Sequence, residues 1–195
     1  MALTTTDLHG SLPLVARGKV RDIYAVPDDA SALLFVATDR ISAYDVVMKN
    51  VPHSPPSDVV FPVLTRARQG IKDKGKLLTA LSAFWFELLG GTCANHVLST
   101  AAADFPAQAA AYVEDQLAGR SMLVRRLRVL PVEVIVRGYL TGSAWTEYER
   151  AGTVHGITLP AGMKESEAFA QPLFTPSTKA AAGQHDENIH PDEGE

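Results

Sequence analysis

The chain has 195 residues, a formal net charge of -4 and a pI near 5.9. Its 46% hydrophobic content and mean hydropathy of +0.02 are typical of a folded globular protein. The acidic balance argues against nucleic acid as the main partner, because phosphate backbones select basic surfaces. The single cysteine excludes an internal disulfide, and neither a membrane span nor a signal peptide is visible. We therefore expect a soluble cytoplasmic protein that binds neither nucleic acid nor membrane. The sequence predicts no particular oligomeric state.

Short strands dominate the predicted pattern of the first half. β-branched and apolar residues favour strands at 20–26 and 33–37, and the Pro-Asp-Asp sequence at 27–29 predicts a hairpin turn between them. A third short strand is predicted at 44–48. Leucines and aromatic residues recur at helical spacing over 77–89, which predicts a helix ending at the following Gly-Gly pair. We interpret Phe84 and Trp85 on this helix as core packing.

The second half mixes strands and helices before becoming rich in loops. The pattern predicts a short strand at 96–99, a helix at 109–117, strands at 122–129 and 132–139, and a helix at 143–151. We expect the two longer strands to form an antiparallel pair. Prolines punctuate the sequence after residue 152, which favours loops there. Because strands and helices do not alternate strictly, the predicted fold class is α+β.

The stretch PVEVIVRGYLTGSAWTEYERAG, residues 131–152, has the most informative spacing. Glu133 and Arg137 are four residues apart, so a continuous strand would project both from one face. Ser143 lies where a helix begins and its free N–H groups can hold an anion. These residues fit a pocket for a phosphate and a metal-bridged carboxylate. They also fit an edge strand with a surface ion pair and an ordinary helix start, and spacing alone favours this second interpretation without excluding the first.

Five segments, in order, resemble one enzyme family. They are GKVRDIY (18–24), ATDRISAYDVVMKN (37–50), KGKLLTALSAFWFELL (74–89), EVIVRGYLTGSAW (133–145) and FTPSTKAAAGQHDENI (174–189). Together they resemble the SAICAR synthetase family of purine biosynthesis, in the form found in fungi and some bacteria. The resemblance implies two α+β lobes with ATP between them, akin to protein kinases and ATP-grasp enzymes, here residues 1–100 and 101–195. A protein kinase is disfavoured because no HRD or DFG motif is present.

The resemblance also implies roles for individual residues. The covering loop of the ATP phosphates would comprise Gly18, Lys19, Val20 and Arg21. The ribonucleotide would be held by Arg137 and Ser143, and further substrate contacts would come from Ser177, Thr178 and Lys179. Glu133 and Asp186 would hold magnesium, which needs few carboxylates when waters and phosphates complete its shell. The implied catalytic residues are Glu133, Lys179 and Asp186.

The implied reaction joins carboxyaminoimidazole ribonucleotide to L-aspartate with ATP hydrolysis and forms SAICAR, the succinocarboxamide, in de novo purine biosynthesis. ATP would activate an unreactive carboxylate, so positioning and charge neutralisation would supply most of the rate. The alternative is a truncated, non-catalytic nucleotide-binding fragment of that enzyme. Presence or absence of a downstream exon discriminates the two.

Two features depart from the family pattern. Residues 51–69 intervene where family members have a short turn, and are either a translated intron or a genuine surface insertion, which loops tolerate well. The chain also ends at Glu195, well before the length typical of the family. We therefore expect an incomplete second lobe and a chain that is inactive alone. Sequencing the full-length transcript tests both departures.

Overall fold

The chain folds as α+β, as its sequence predicts. The computed structural model describes residues 2–43, 46–48, 70–179 and 186–193, and the predicted insertion at 51–69 lies outside these. Two compact units are present, Met1–Leu127 and Arg128–Glu195. Within the described residues, no helix has both the length and the apolar character needed to cross a bilayer.

The first unit is built on a five-stranded antiparallel sheet. Its strand order is β1-β2-β3-β7-β6, and one long helix, α1, contacts β3 and β7. A separate two-stranded pair is formed by β4 and β5. The elements in chain order are β1 (Leu14–Arg17), β2 (Arg21–Val26), β3 (Asp29–Ala37), β4 (Ser42–Ala43), β5 (Val46–Val47), α1 (Lys74–Leu88), β6 (Val97–Ser99) and β7 (Ser121–Arg125).

The core of this unit lies under the central strands. Alternating residues of β3, Leu34 and Val36, are fully buried, as period-two alternation requires of a sheet with one covered face. Apolar residues from the N-terminal segment and from the turns before β7 pack against them: Leu8, Leu12, Phe105, Ala109 and Leu117. Those turns are a 3₁₀ helix, Ala107–Tyr112, and a π-helical turn, Val113–Leu117, where the sequence predicts one continuous helix.

Helix α1 approaches the sheet through its small residues. A Cβ at Gly75 would lie 2.2 Å from the carbonyl oxygen of Ala37, so only glycine permits this approach. The interpretation of Phe84 and Trp85 as core packing is wrong for the described residues. Their side chains contact each other edge to face at 5.3 Å and are 54% and 48% exposed. The helix predicted from the spacing is present as α1, but the close contact at Gly75 directs a different face of it to the sheet.

The second unit consists of short antiparallel pairs around helix α2. Its core is Leu140, Ala144 and Val154, and partly buried aromatic residues pack against them. Strand β8 pairs with β13, β9 with β12, and β10 with β11. The elements are β8 (Val132–Glu133), β9 (Val136–Tyr139), α2 (Ser143–Ala151), β10 (Thr153–Val154), β11 (Ile157–Thr158), β12 (Ala168–Phe174) and β13 (Ser177–Thr178).

The predicted pairing of strands 122–129 and 132–139 is wrong. Strand β7 pairs with β3 and β6 in the first unit, whereas the segment at 132–139 pairs with β12 and β13. This placement of β7 also carries the first unit to residue 127, beyond the boundary predicted near residue 100. The strand predicted at 44–48 is instead two short strands on either side of residues 44–45, which lie outside the described part.

Candidate functional site

The hairpin turn between β1 and β2 contains the residues predicted to cover ATP phosphates. The N–H of Gly18 donates to the carbonyl oxygen of Arg21 at 2.8 Å, which closes the turn. The carbonyl oxygen of Val20 accepts from the backbone N–H of Thr38 at 2.9 Å and from its hydroxyl at 2.8 Å. Strand β3, which ends just before Thr38, therefore fixes the turn that follows β1.

Val20 and Arg21 also line a cavity of about 120 Å³ between the sheet and α1. The guanidinium of Arg21 lies 5.2 Å from the ring centre of Phe35, a cation–π geometry. Burial lowers the pKa of His96, which also lines the cavity, and the charge of Arg21 lowers it further. No carboxylate lines this cavity among the described residues. Apolar walls with a cationic edge suit a ligand that has a flat ring and an anionic group.

Two buried arginine–aspartate pairs brace the first unit. Arg40 donates to Asp22 at 2.7 Å, and Arg120 donates to Asp39 at 2.8 Å. Burial acts to raise the pKa of each carboxyl, but hydrogen bonds outweigh it and hold both pKa values below the ordinary range. Asp39 also accepts from the N–H groups of Leu3 and of Gly75 in α1. Asp39 therefore has a structural role.

In the second unit, Lys179 pairs with Glu133, one of the two predicted metal ligands. Its ammonium group contacts the carboxylate of Glu133 across the β8–β13 pair. The hydrogen bond from Lys179 to Glu133 raises the pKa of Lys179; burial opposes this shift, and the negative charges of Glu133 and Asp186 add to it. Lys179 thus pairs with Glu133 and feels the charge of Asp186, although these residues are separated by up to 53 positions in the sequence (133 to 186).

Arg137 is held by two hydroxyl groups. Its Nε donates to Thr175 Oγ1 and its Nη2 donates to Ser143 Oγ, each at 3.2 Å. Ser143 is the first residue of α2, as predicted. Among the described residues, no carboxylate forms an ion pair with Arg137. Neutral partners orient the guanidinium and leave its charge available to an anion.

The continuous strand predicted at 132–139, which contains Glu133 and Arg137, is divided in two in the structure. These two residues belong to separate strands, β8 and β9, because residues 134–135 interrupt the ladder. Thr175 lies opposite this interruption. Its N–H and its hydroxyl donate to the carbonyl oxygen of Ile135 at 2.8 and 3.1 Å. Thr175 is fully buried and contacts Arg137, so sequence analysis missed a residue of the site. Its place in the FTPSTK segment is the signal that could have identified it.

Ser177 and Thr178 lie near the start of the segment 174–189 and contact residues near its end. The N–H of Thr178 donates to the carbonyl oxygen of Glu187, and the N–H of Glu187 donates to the Thr178 hydroxyl, both at 2.9 Å. Ser177 is buried and forms a β-bridge with Asn188. Because Thr178 pairs with Glu187, the residues next to them, Lys179 and Asp186, lie on facing segments of the chain.

Comparison with known proteins identifies the chain. The SAICAR synthetase family model matches residues 14–54 and 65–194. This chain belongs to the SAICAR synthetase family. It is 52% identical over 198 residues to the phosphoribosylaminoimidazole-succinocarboxamide synthase of Pichia angusta, and 51% identical over 197 residues to that of Saccharomyces cerevisiae. Those matches cover 99% and 98% of this chain, which spans 58% of the length of each relative.

Solved structures agree with this family assignment. The chain resembles "SAICAR-synthase from Saccharomyces cerevisiae complexed SAICAR" with a TM-score of 0.78 and 49% identity, over 98% of this chain and 57% of that one. A "SAICAR synthetase (Type-2) in complex with ADP" has a TM-score of 0.58 at 20% identity, over 91% of this chain and 55% of that one, and supports the fold alone. The predicted SAICAR synthetase family is therefore confirmed. The family model leaves residues 55–64 unmatched, inside the predicted insertion.

The SAICAR synthetase resemblance implies magnesium, and the carboxylate oxygens near Lys179 are the type of ligand that magnesium prefers. The described residues contain no group of three or more histidine, cysteine, aspartate or glutamate side chains at metal-binding proximity. Glu133 and Asp186 supply two hard carboxylates, which suffices for an ion that keeps waters and phosphate oxygens in its shell. Lys179 already neutralises Glu133, so a cation bound there would compete with this ammonium group.

Proposed function

We propose that the protein catalyses the ATP-dependent ligation of carboxyaminoimidazole ribonucleotide with L-aspartate, which forms SAICAR in de novo purine biosynthesis. The observation that carries this proposal is the position of Arg137, oriented by Ser143 and Thr175 without a carboxylate partner among the described residues. A guanidinium held in this way fits the phosphate of a ribonucleotide. About 50% identity to SAICAR synthases supports the same reading.

The proposed ATP site is the turn and cavity of the first unit. Gly18 allows the backbone to approach phosphates, and Lys19 and Arg21 add positive charge. Val20 lines the cavity and offers an apolar contact to a ring. In the finer form of this proposal, the fold is two-lobed with ATP between the lobes, akin to protein kinases and ATP-grasp enzymes, and the enzyme is cytoplasmic.

The proposed chemistry needs little from side chains beyond position and charge. A phosphoryl group passes from ATP to a carboxylate oxygen of the ribonucleotide, and ADP leaves. The amine of aspartate then attacks the activated carbon, the C–N bond forms, and phosphate departs with the former carboxylate oxygen while the amine loses a proton. Lys179 neutralises negative charge at the reacting groups, and Glu133 and Asp186 would hold Mg²⁺. Bound Mg²⁺ would offset phosphate charge.

The chain spans 58% of the length of its relatives and is expected to be inactive alone. The direct test therefore measures product formation by two purified proteins, the 195-residue chain and the same chain extended to the length of those relatives. ATP, Mg²⁺, L-aspartate and the ribonucleotide are supplied together, each is omitted in turn, and SAICAR is quantified chromatographically. The proposal expects product from the extended protein that depends on every substrate, is abolished in Lys179→Met and is retained in Lys164→Met, a matched change at an exposed lysine of the same unit. ATP binding without product would favour the non-catalytic nucleotide-binding fragment. Neither binding nor product would reject both.

A further inference from the structure

Arg40 connects the predicted phosphate turn to the core of the first unit. Its Nη2 donates to the carbonyl oxygen of Gly18 at 2.8 Å, and its Nε donates to that of Lys19 at 3.1 Å. On its other side, Nη1 donates to the carbonyl oxygen of Thr4 at 2.7 Å. Arg40 is only 9% exposed. One guanidinium thus joins the turn, the N-terminal segment and the sheet.

The guanidinium is itself held in place by Asp22. The Asp22 carboxylate is fully buried, accepts from Arg40 Nη2, and also accepts from the N–H and hydroxyl of Thr6 at 3.1 and 2.6 Å. A carboxylate with this many donors has little freedom to turn away. Since Asp22 belongs to β2, the sheet fixes Asp22, Asp22 fixes Arg40, and Arg40 fixes two consecutive carbonyl oxygens of the turn.

We propose that Arg40 is a positioning residue, which holds the turn at Gly18 and Lys19 in the conformation that receives nucleotide phosphates. This inference rests on the proposed function for its ligand. A phosphate is held by consecutive backbone N–H groups of a loop, and such a loop must keep its carbonyl oxygens turned elsewhere. The carbonyl oxygens of Gly18, Lys19 and Val20 each accept a hydrogen bond from a side chain outside the turn. Arg40 supplies two of these hydrogen bonds.

The informative variant is Arg40→Lys. Lysine keeps the positive charge, so Asp22 is not left as an unpaired buried carboxylate, but one ammonium group cannot reach Thr4, Asp22 and the turn together. If the turn then spends about a tenth of its time in the held conformation, ATP affinity falls about tenfold. Arg17→Lys is the matched control. Arg17 also contacts the Asp22 carboxylate, at 3.3 Å, but no hydrogen bond joins its side chain to the turn among the described residues.

Two measurements decide the proposal. Amide hydrogen exchange of residues 17–21, without nucleotide, should accelerate at least fivefold in Arg40→Lys and less than twofold in Arg17→Lys. Arg120→Lys, a change in the other buried pair, should leave exchange in the turn within twofold. Titration with ATP should show about tenfold weaker binding in Arg40→Lys and less than a twofold change in Arg17→Lys, and ribonucleotide affinity should stay within twofold in both.

The outcomes separate this inference from the proposed function. Unchanged exchange in the turn of Arg40→Lys overturns the role of Arg40, whatever the protein binds. Equal losses of ATP and ribonucleotide affinity also overturn it, since they indicate general destabilisation. If the wild-type protein binds no ATP, the proposed function fails and the nucleotide part of this inference fails with it. Faster exchange in that case would still show that Arg40 braces the turn.

Discussion

The two units use ion pairs in opposite ways. In the first unit, Asp22 and Asp39 are fully buried and each carboxylate accepts from several donors besides its arginine. In the second, the side chains of Lys179 and Glu133 are 47% and 36% exposed. A buried pair that loses one partner leaves an uncompensated charge, whereas an exposed pair is replaced by water at little cost. The first kind sets the shape of the backbone, and the second is able to exchange its partner for a ligand.

The largest effect should follow from breaking a buried pair. Asp39→Asn removes the charge that compensates Arg120, and its amide group turns a donor toward N–H groups that now donate to Asp39. We expect the free energy of unfolding to fall by about 3–5 kcal/mol. Urea denaturation measures it, and Asp115→Asn, an exposed change in the same unit, should stay within about 0.5 kcal/mol. A loss below 1 kcal/mol for Asp39→Asn would remove the distinction between the two kinds of pair.

Acid should weaken the first unit through the same two carboxyls. The pKa values of Asp22 and Asp39 are depressed in the folded state, so their stabilisation is present above the unfolded pKa, about 4, and is lost as pH falls toward the folded pKa. Each group then contributes at most about 1.4 kcal/mol per pH unit. Urea midpoints from pH 7 to 2 measure this, and Asp39→Asn should flatten the acid limb. Stability that rises below pH 4 would contradict the assigned direction.

The next effect concerns binding rather than stability. Arg137→Lys keeps a positive charge but loses the planar fork that Thr175 and Ser143 orient. We expect ribonucleotide binding to weaken by about 1.5–3 kcal/mol and ATP binding to change little. Calorimetric titration with each ligand measures the two affinities. Arg150→Lys, an exposed arginine in the last turn of α2, is the matched control. Equal losses for both ligands would remove Arg137 from the assigned role.

Local signals in the sequence were sufficient for elements whose partners are near in the chain. The helix Ser143–Ala151 has its predicted bounds, because Gly142 and Gly152, both at positive φ, enclose it. The hairpin of β2 and β3 also follows from the turn residues between two apolar runs. In these places propensity and turn chemistry agree with the final structure.

Long-range pairing could not be read in this way. The prolines after residue 152, Pro172 among them, predict loop where strand β12 lies, yet β12 pairs with β9, whose partner residues are 29 to 38 positions away. The alternation of side chains over residues 132–139 gives no sign that the strand is interrupted opposite Thr175. The Glu133, Lys179 and Asp186 cluster was expected only from family resemblance, since their spacing carries no periodicity.

The smallest effect on stability should follow from Glu133→Gln, which removes the exposed pair. In an exposed pair, the conformational entropy that the two long side chains lose roughly cancels their electrostatic attraction. We therefore expect the free energy of unfolding to change by less than about 1 kcal/mol. The pKa of Lys179 should fall, because the hydrogen bond to the Glu133 carboxylate is the main cause of its raised value. An NMR titration of the lysine side chains measures the pKa, and urea denaturation measures the stability.

Magnesium binding sharpens the same comparison. Because Lys179 and a cation compete for Glu133, Lys179→Met should strengthen binding of Mg²⁺ if the carboxylates hold the metal, whereas Glu133→Gln should weaken it. Lys164→Met serves as the control for loss of a positive charge elsewhere in the unit.

If Glu133→Gln instead lowered the free energy of unfolding by 3 kcal/mol or more, the exposed pair would have the structural role of the buried ones. The contrast between the two units would then fail.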